Sequence, residues 1–226
     1  MGGQACVFYG AAEFSRDTDI VLLAEPENIE RLSRALEELR ADCIAVPPFS
    51  ADYLRRGHAV HFRCRHPEAD GMRLDVMSVL RGVDAFEDLW ERRTTVEIPP
   101  VERYDLVSLG DLVQAKKTQR DKDWPMIRRL VEAHRAQNCD NPTRVQIDFW
   151  MRESRTVSDL LELAETYPAL LAEKAIGRPL LSLAAKGDRE GLAAALADEQ
   201  EQQRREDREY WAPLKAELAE LRRKPS

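Results

Sequence analysis

Several things are scarce or missing in this chain, and each absence excludes a class of protein. No apolar run approaches the roughly 18 residues that a membrane-spanning helix needs. The first residues lack the basic start, apolar stretch and small-residue cleavage site of a secretory signal. There are four cysteines, Cys6, Cys43, Cys64 and Cys139, scattered with no C-x-x-C pair. That spacing fits reduced thiols of a cytoplasmic protein better than a disulfide framework or a zinc site. The four histidines, His58, His61, His66 and His134, make no H-x-x-x-H or H-x-x-E pair. No G-x-x-x-x-G-K-[ST] loop is present, which argues against a P-loop nucleotidase, and Ser15 and Ser78 have no serine-hydrolase partner pattern. Aromatic residues make up 7% of the chain, so the four tryptophans read as core or interface anchors before they read as base-stacking platforms.

What is present is enough apolar material for a proper core and a heavily charged surface. The 226 residues are 43% hydrophobic and 33% charged, with net charge −7; mean hydropathy is −0.51. The acidic balance argues against a general nucleic-acid coat protein while leaving room for a local basic groove. The length allows one large domain or two small ones.

Periodicity gives an α+β (mixed α/β) pattern up to about residue 140: a small mixed sheet flanked by helices. Gly2-Gly3 opens a short helix. DIVLLA (19–24) is a buried strand and PENIERLSRALEELRA an amphipathic helix with Pro26 at its start. CIAV (43–46), AVHFRC (59–64) and RLDVMSV (73–79) are strand candidates. VLRGVDAFEDLWERR is expected to be helical, and TVEI and DLVSL to be short strands. Ser108 and Asp111 form a capping-box-like start to SLGDLVQAKK. DWPMIRRLVEAHRAQ is a helix with Asp123 near its N-cap and Pro125 in its first turn. The turn cluster NCDNP (138–142) places a boundary at 140/141, between a domain over 1–140 and an all-helical region over 141–226. The long polar helix of that region is expected to be interrupted near Pro213, with LRRKPS fraying at its end. Leu214, Leu218 and Leu221 share a face that should pack on something, a second copy of the chain included.

Three features at the front of the chain carry chemistry. Gly2-Gly3 lets a backbone approach a phosphate closely, and a helix N-terminus offers free N–H groups. Asp17 and Asp19, two residues apart on a strand, point to one face. Such a pair repels itself unless a cation sits between, and all-oxygen ligands suit Mg²⁺. Asp75, inside the apolar run RLDVM, is an acid that needs a reason. Taken singly, each has an ordinary account: a common glycine pair, a polar strand entry, a solvated strand face. His61 and Arg63 likewise share a strand face that either lines a site or meets solvent.

Together the residues GGQACVFYG…FSRDTDIVLL, with thirteen residues between Gly3 and Asp17, and Asp75 further on, resemble the nucleotidyltransferase superfamily (the polymerase-beta-like fold). The bacterial branch that holds AbiEii-type toxins and related uncharacterised nucleotidyltransferases is the most similar. VSLGDLVQAKKTQRDKDWPMIRRLV matches a further stretch of that branch, with Lys116 or Lys117 at its lysine and Arg120, Lys122 and Asp123 at the following segment. The resemblance covers about residues 1–135. It implies transfer of a nucleoside monophosphate from a nucleoside triphosphate, with two Mg²⁺ ions on Asp17, Asp19 and Asp75. Gly2 and Gly3 would contact the β- and γ-phosphates, and Lys116, Lys117 and Arg120 would neutralise triphosphate charge. The acceptor it implies is an RNA or a protein, as for a toxin with a partner antitoxin. The family usually has an apolar residue where Thr18 stands, and carries a helix and the start of a strand before its glycine pair, for which Met1 alone stands here. Loss of that element would loosen the glycine turn. The alternative function is an inactive binding or interaction protein on the same fold.

Overall fold

The computed structural model describes residues 1–100 and 102–223; the last part of LRRKPS lies outside them. The chain is a mixed α+β protein that divides into two compact units. The first comprises Met1–Phe8, Ala12–Ala115 and the chain from Glu209 on; the second comprises Tyr9–Ala11 and Lys116–Arg208. The turn cluster at 138–142 therefore lies inside the second unit, and the units change at 115/116.

In the first unit the elements run α1 (Gly2–Phe8), β1 (Asp17–Val21), α2 (Pro26–Glu38), β2 (Asp42–Cys43), α3 (Ala51–Arg55), β3 (Val60–Arg63), β4 (Arg73–Met77), α4 (Phe86–Arg92), β5 (Thr94–Ile98), β6 (Glu102–Leu106) and α5 (Leu109–Ala115). The main sheet has the order β1-β4-β3-β2. β1 runs parallel to β4, whereas β3 is antiparallel to both β4 and β2. β5 and β6 form a separate antiparallel ribbon.

Alternation within the strands splits the main sheet into two chemically distinct faces. Val60, Phe62, Leu74 and Val76 are buried with Leu32 and Leu36 of α2 and Leu54 of α3, and Ile20 packs against the same cluster. Truncating one of these large side chains to Ala would cost about 2–5 kcal/mol. Thr18, at an even position of β1, belongs to this face too; its hydroxyl approaches the Met72 sulfur at 3.9 Å. The odd positions of β1, β3 and β4 carry the charges.

Three sequence expectations are corrected here. CIAV contributes only Cys43 to β2, since the chain meets Pro47 and Pro48, which have no N–H to extend a ladder. VLRGVDAFEDLWERR is helical only from Phe86, because Gly82 takes φ +70° and breaks the helix before it. Helix α11 (Arg189–Arg223) runs unbroken through Pro213. Pro213 and Glu209, whose carbonyl loses its helical donor, are both exposed, so water can satisfy the freed group.

The second unit holds α6 (Asp123–Asn138), α7 (Arg144–Glu153), α8 (Val157–Thr166), α9 (Pro168–Lys174), α10 (Leu181–Ala185) and α11 as far as Arg208. Trp150, Met151, Leu160, Leu163, Leu171, Leu181 and Leu192 are its buried side chains of largest size, with Ile127 and Leu130 of α6. Thr143 and Gln146 cap α7 reciprocally, and Thr156 caps α8. The end of α11, from Glu209, belongs to the first unit. There Leu214 approaches Gly57, and Glu217 accepts from buried His58 at 2.7 Å and also from Arg56. Leu214 thus has a neighbour within its own chain. Among the described residues no helix is long and apolar enough to cross a membrane.

Candidate functional site

The parallel pairing of β1 with β4 sets Asp19 opposite Asp75 and Asp17 opposite Arg73. On the other side of β4, His61 stands opposite Asp75 and Arg63 opposite Arg73. Residues paired in register point to the same face of a sheet. Asp17, Asp19, Asp75, His61, Arg63 and Arg73 therefore share the face opposite the apolar cluster. A strand period of two does this work twice, in DTD and in RLD, placing the acids outward while Thr18 and Leu74 turn to the core.

The glycine pair is fitted to this face. Gly2 has φ +64°, and a Cβ there would lie 1.8 Å from Asp19 Oδ2; a Cβ at Gly3 would lie 2.3 Å from Ser15 Oγ. Neither position has room for a larger residue while these neighbours stay in place. The closeness lets the Gly3 N–H donate to Asp19 Oδ2 at 3.3 Å, and the Met1 amino group donates to the Asp19 carbonyl at 2.6 Å. The start of α1 is thus seated on Asp19, with its N–H turned to a carboxylate.

Asp75 is largely enclosed, its side chain 13% exposed. Its Oδ1 accepts from Arg73 Nε at 2.9 Å and lies 2.8 Å from His61 Nδ1. Burial works to raise its pKa, but the hydrogen bonds and charges of His61 and Arg73 outweigh it, holding the carboxyl below the usual range. Arg73 is in turn pushed up, first by its hydrogen bond to Asp75, against the opposing effect of burial, and further by the charges of Asp75, Asp17 and Asp19. One guanidinium therefore feels all three aspartates.

The sequence reading selected Asp17, Asp19 and Asp75, left His61 between a site and a solvated strand face, and missed Arg73. The signal for both was in the alternation of RLDVM and AVHFRC; what it lacked was the register that brings them to the same carboxylate. Among the described residues no three His, Cys, Asp or Glu side chains lie close enough to form a ready metal cage. Oδ1 of Asp75 is engaged by Arg73 and His61, and Oδ2 of Asp19 by Gly3. The donor set itself, carboxylate oxygens on one sheet face, suits a hard divalent ion.

Lys116, Lys117 and Arg120 belong to the second unit, where each faces a carboxylate of that unit. Lys117 Nζ lies 2.9 Å from Glu153 Oε2, both side chains being about nine-tenths buried. Arg120 Nε donates to Asp123 Oδ2 at 2.7 Å, and Lys116 Nζ is 3.8 Å from Asp123 Oδ1. The Thr118 hydroxyl also donates to Asp123, at 2.6 Å, and Trp124 Nε1 donates to the Thr118 carbonyl at 2.9 Å. These bonds fasten the start of α6, a structural task that accounts for the spacing of the AKKTQRDKD segment.

No protein-family model matches the chain, and no curated protein does.

Proposed function

We propose that the acid face of the main sheet is the site of Mg²⁺-dependent nucleotidyl transfer, in which a nucleoside monophosphate passes from a nucleoside triphosphate to an acceptor hydroxyl and pyrophosphate leaves. The observation that carries the reading is the register of β1 and β4, with Asp17, Asp19 and Asp75 on one face and a glycine-opened helix against Asp19. The resemblance to the nucleotidyltransferase superfamily supports the same assignment.

In this reading Asp17, Asp19 and Asp75 hold the metal. When bound, the ion would neutralise triphosphate charge and lower the pKa of the attacking hydroxyl. The chain's own residues prepare the site. The seat of α1 on Asp19 fixes that carboxylate, and the core face beneath β1 and β4 fixes the spacing of the three acids. Arg73, within reach of all three charges, relieves their mutual repulsion. His61, on Asp75, holds the carboxylate in its ionised form. The acceptor, by the same resemblance, is an RNA or a protein, and the protein works in the cytoplasm.

One observation favours a second reading, a binding protein on the same fold without activity: Arg73 and His61 together hold Oδ1 of Asp75. Incubation with each labelled nucleoside triphosphate, Mg²⁺, total RNA and cell protein separates the two, beside an Asp17→Ala/Asp19→Ala control. Nucleotidyl transfer predicts Mg²⁺-dependent label on one acceptor class, absent from the control. No label transfer in any combination would favour the binding reading.

A further inference from the structure

The ribbon of β5 and β6 takes no part in the acid face. Of the five residues in each strand, only Leu106 is buried. A two-stranded ribbon is marginal in water by itself, and a further strand or a cover over one face stabilises it. Glu102, Arg103, Tyr104 and Asp105 are exposed in succession. Their backbones make no hydrogen bond to any described residue outside the β5–β6 ladder. Each strand of such a ribbon turns one edge to its partner and one edge away. The outer edge of β6 is therefore a row of open N–H and C=O groups, a template for another strand.

Apolar side chains gather on one face of the same ribbon. In register, Val96 stands opposite Tyr104 and Ile98 opposite Glu102, and the period of two puts all four on one side. The Phe8 ring lies 5.7 Å from the Tyr104 ring. Phe8, Ile98 and Tyr104 are 37%, 40% and 39% exposed. The other face carries charge. Asp105 accepts from the Thr95 hydroxyl at 2.6 Å and from Arg93 at 3.1 Å. Arg103 reaches Asp105 of its own chain only at 3.7 Å, and its side chain is 58% exposed.

The order of charges along β6 says which strand fits the open edge. Antiparallel pairing of Glu102–Leu106 with itself, about an axis at Tyr104, sets residue 103 of each copy opposite residue 105 of the other. Arg103 then meets Asp105 twice, and Tyr104 meets Tyr104. An axis at Arg103 or at Asp105 sets like charges together instead. Self-pairing of β5 about Val96 sets Glu97 against Thr95, with no opposite charge, and about Glu97 it opposes two carboxylates. From this we infer that β6 is the dimer contact of the chain: it pairs antiparallel with β6 of a second copy, and the two ribbons become one four-stranded sheet. Such a contact is isologous and closes at two copies. It brings the two Phe8–Tyr104 pairs side by side over one face. Edge pairing buries little surface, which makes the dimer a weak one. The contact stands independently of the nucleotidyl-transfer reading.

Sedimentation of the full chain from micromolar to submillimolar concentration tests it, with an engineered disulfide as a ruler. The wild type is expected to pass from monomer to dimer over that range. Tyr104→Lys opposes two ammonium groups on the axis, keeps Glu102 as a neighbour of opposite charge, and alters an exposed side chain. It should raise the dimer dissociation constant by at least about tenfold with an unchanged circular dichroism spectrum. Tyr104→Cys should form a 104–104 disulfide under mild oxidation, since directly opposed strand residues lie within the roughly 4.4–6.8 Å Cα separation that a disulfide spans. Ile98→Cys, on an outer strand of the joined sheet, should not link to itself. Cys43 and Cys139 are exposed in every variant, so mass spectrometry of the linked peptides identifies the bond. A monomer at every concentration, a dimer of unchanged strength in Tyr104→Lys, or a dimer that gives no 104–104 link would overturn the pairing.

Discussion

On the main sheet, Asp17 and Arg63 are exposed and Asp19, Arg73 and His61 half-buried, so that this charged face borders water. In the helical unit, Lys117, Glu153, Arg155 and Arg178 have side chains a tenth exposed or less, and their bonds also take up backbone carbonyls. The same residue types are exchangeable in the first setting and locked in the second. Near water a carboxylate can trade a guanidinium for a metal ion at small cost, because solvent screens whatever is left unpaired. In the interior the partner that remains after a loss keeps a bare charge in a poor solvent. The first arrangement is suited to binding and chemistry at the acids, the second to holding helices.

The largest expected effect breaks the buried set. Glu153→Gln strips Lys117 and Arg155 of a shared carboxylate and should cost about 3–5 kcal/mol in urea unfolding. Asp17→Asn, on the exposed face, should change stability by less than about 0.5 kcal/mol. Similar losses from the two substitutions would erase the contrast. Next comes Gly2→Ala. Its Cβ would overlap Asp19 and its φ is left-handed, a conflict worth about 1–3 kcal/mol that the chain relieves by moving the start of α1 off Asp19. Label transfer should fall with little change in global unfolding; retained transfer at wild-type level would remove the glycine pair from the site.

The units should also differ in acid. His134 in α6 accepts from Trp150 Nε1 at 2.9 Å through Nδ1, and burial holds its pKa below the ordinary 6.5. The unfolded chain therefore takes the proton first. Stability is unaffected above pH 6.5 and falls as the pH drops from there to the folded value. His134→Gln should flatten that stretch of a stability–pH curve; an equal slope in the variant would assign it elsewhere. The smallest effect is at Asp75, whose folded pKa lies below its ordinary 3.8. Its contribution is present above that pH and drains away as the pH falls through the folded value. Asp75→Asn should flatten that part of the acid limb, and an unchanged acid limb would mean that Arg73 and His61 do not hold the carboxylate in solution.

The sequence made local features legible. DTDIV and RLDVM announce strands with an acid face because alternation is a local property, and Ser108 caps α5 through the Asp111 N–H at 3.2 Å as the Ser-x-x-Asp spacing predicts. It hid whatever depends on register or on contacts distant in the chain. His61 and Asp75 are fourteen residues apart, and nothing short of the β3–β4 pairing joins them. The buried charges of the second unit come from segments around 117, 153, 178 and 199, and no one of these segments announces the others. The change of unit at 115/116 escaped notice for the same reason, since the first unit draws on both ends of the chain.

The account turns on whether the aspartate face takes a divalent ion. Titration of Mn²⁺ into the full chain, followed by the loss of the free-ion electron paramagnetic resonance signal with and without a non-hydrolysable nucleoside triphosphate, asks this directly. The account predicts saturable binding that tightens when the triphosphate is present and disappears in Asp17→Ala/Asp19→Ala. Mn²⁺ binding of the same strength in the wild type and in that variant, or none in either, would contradict it.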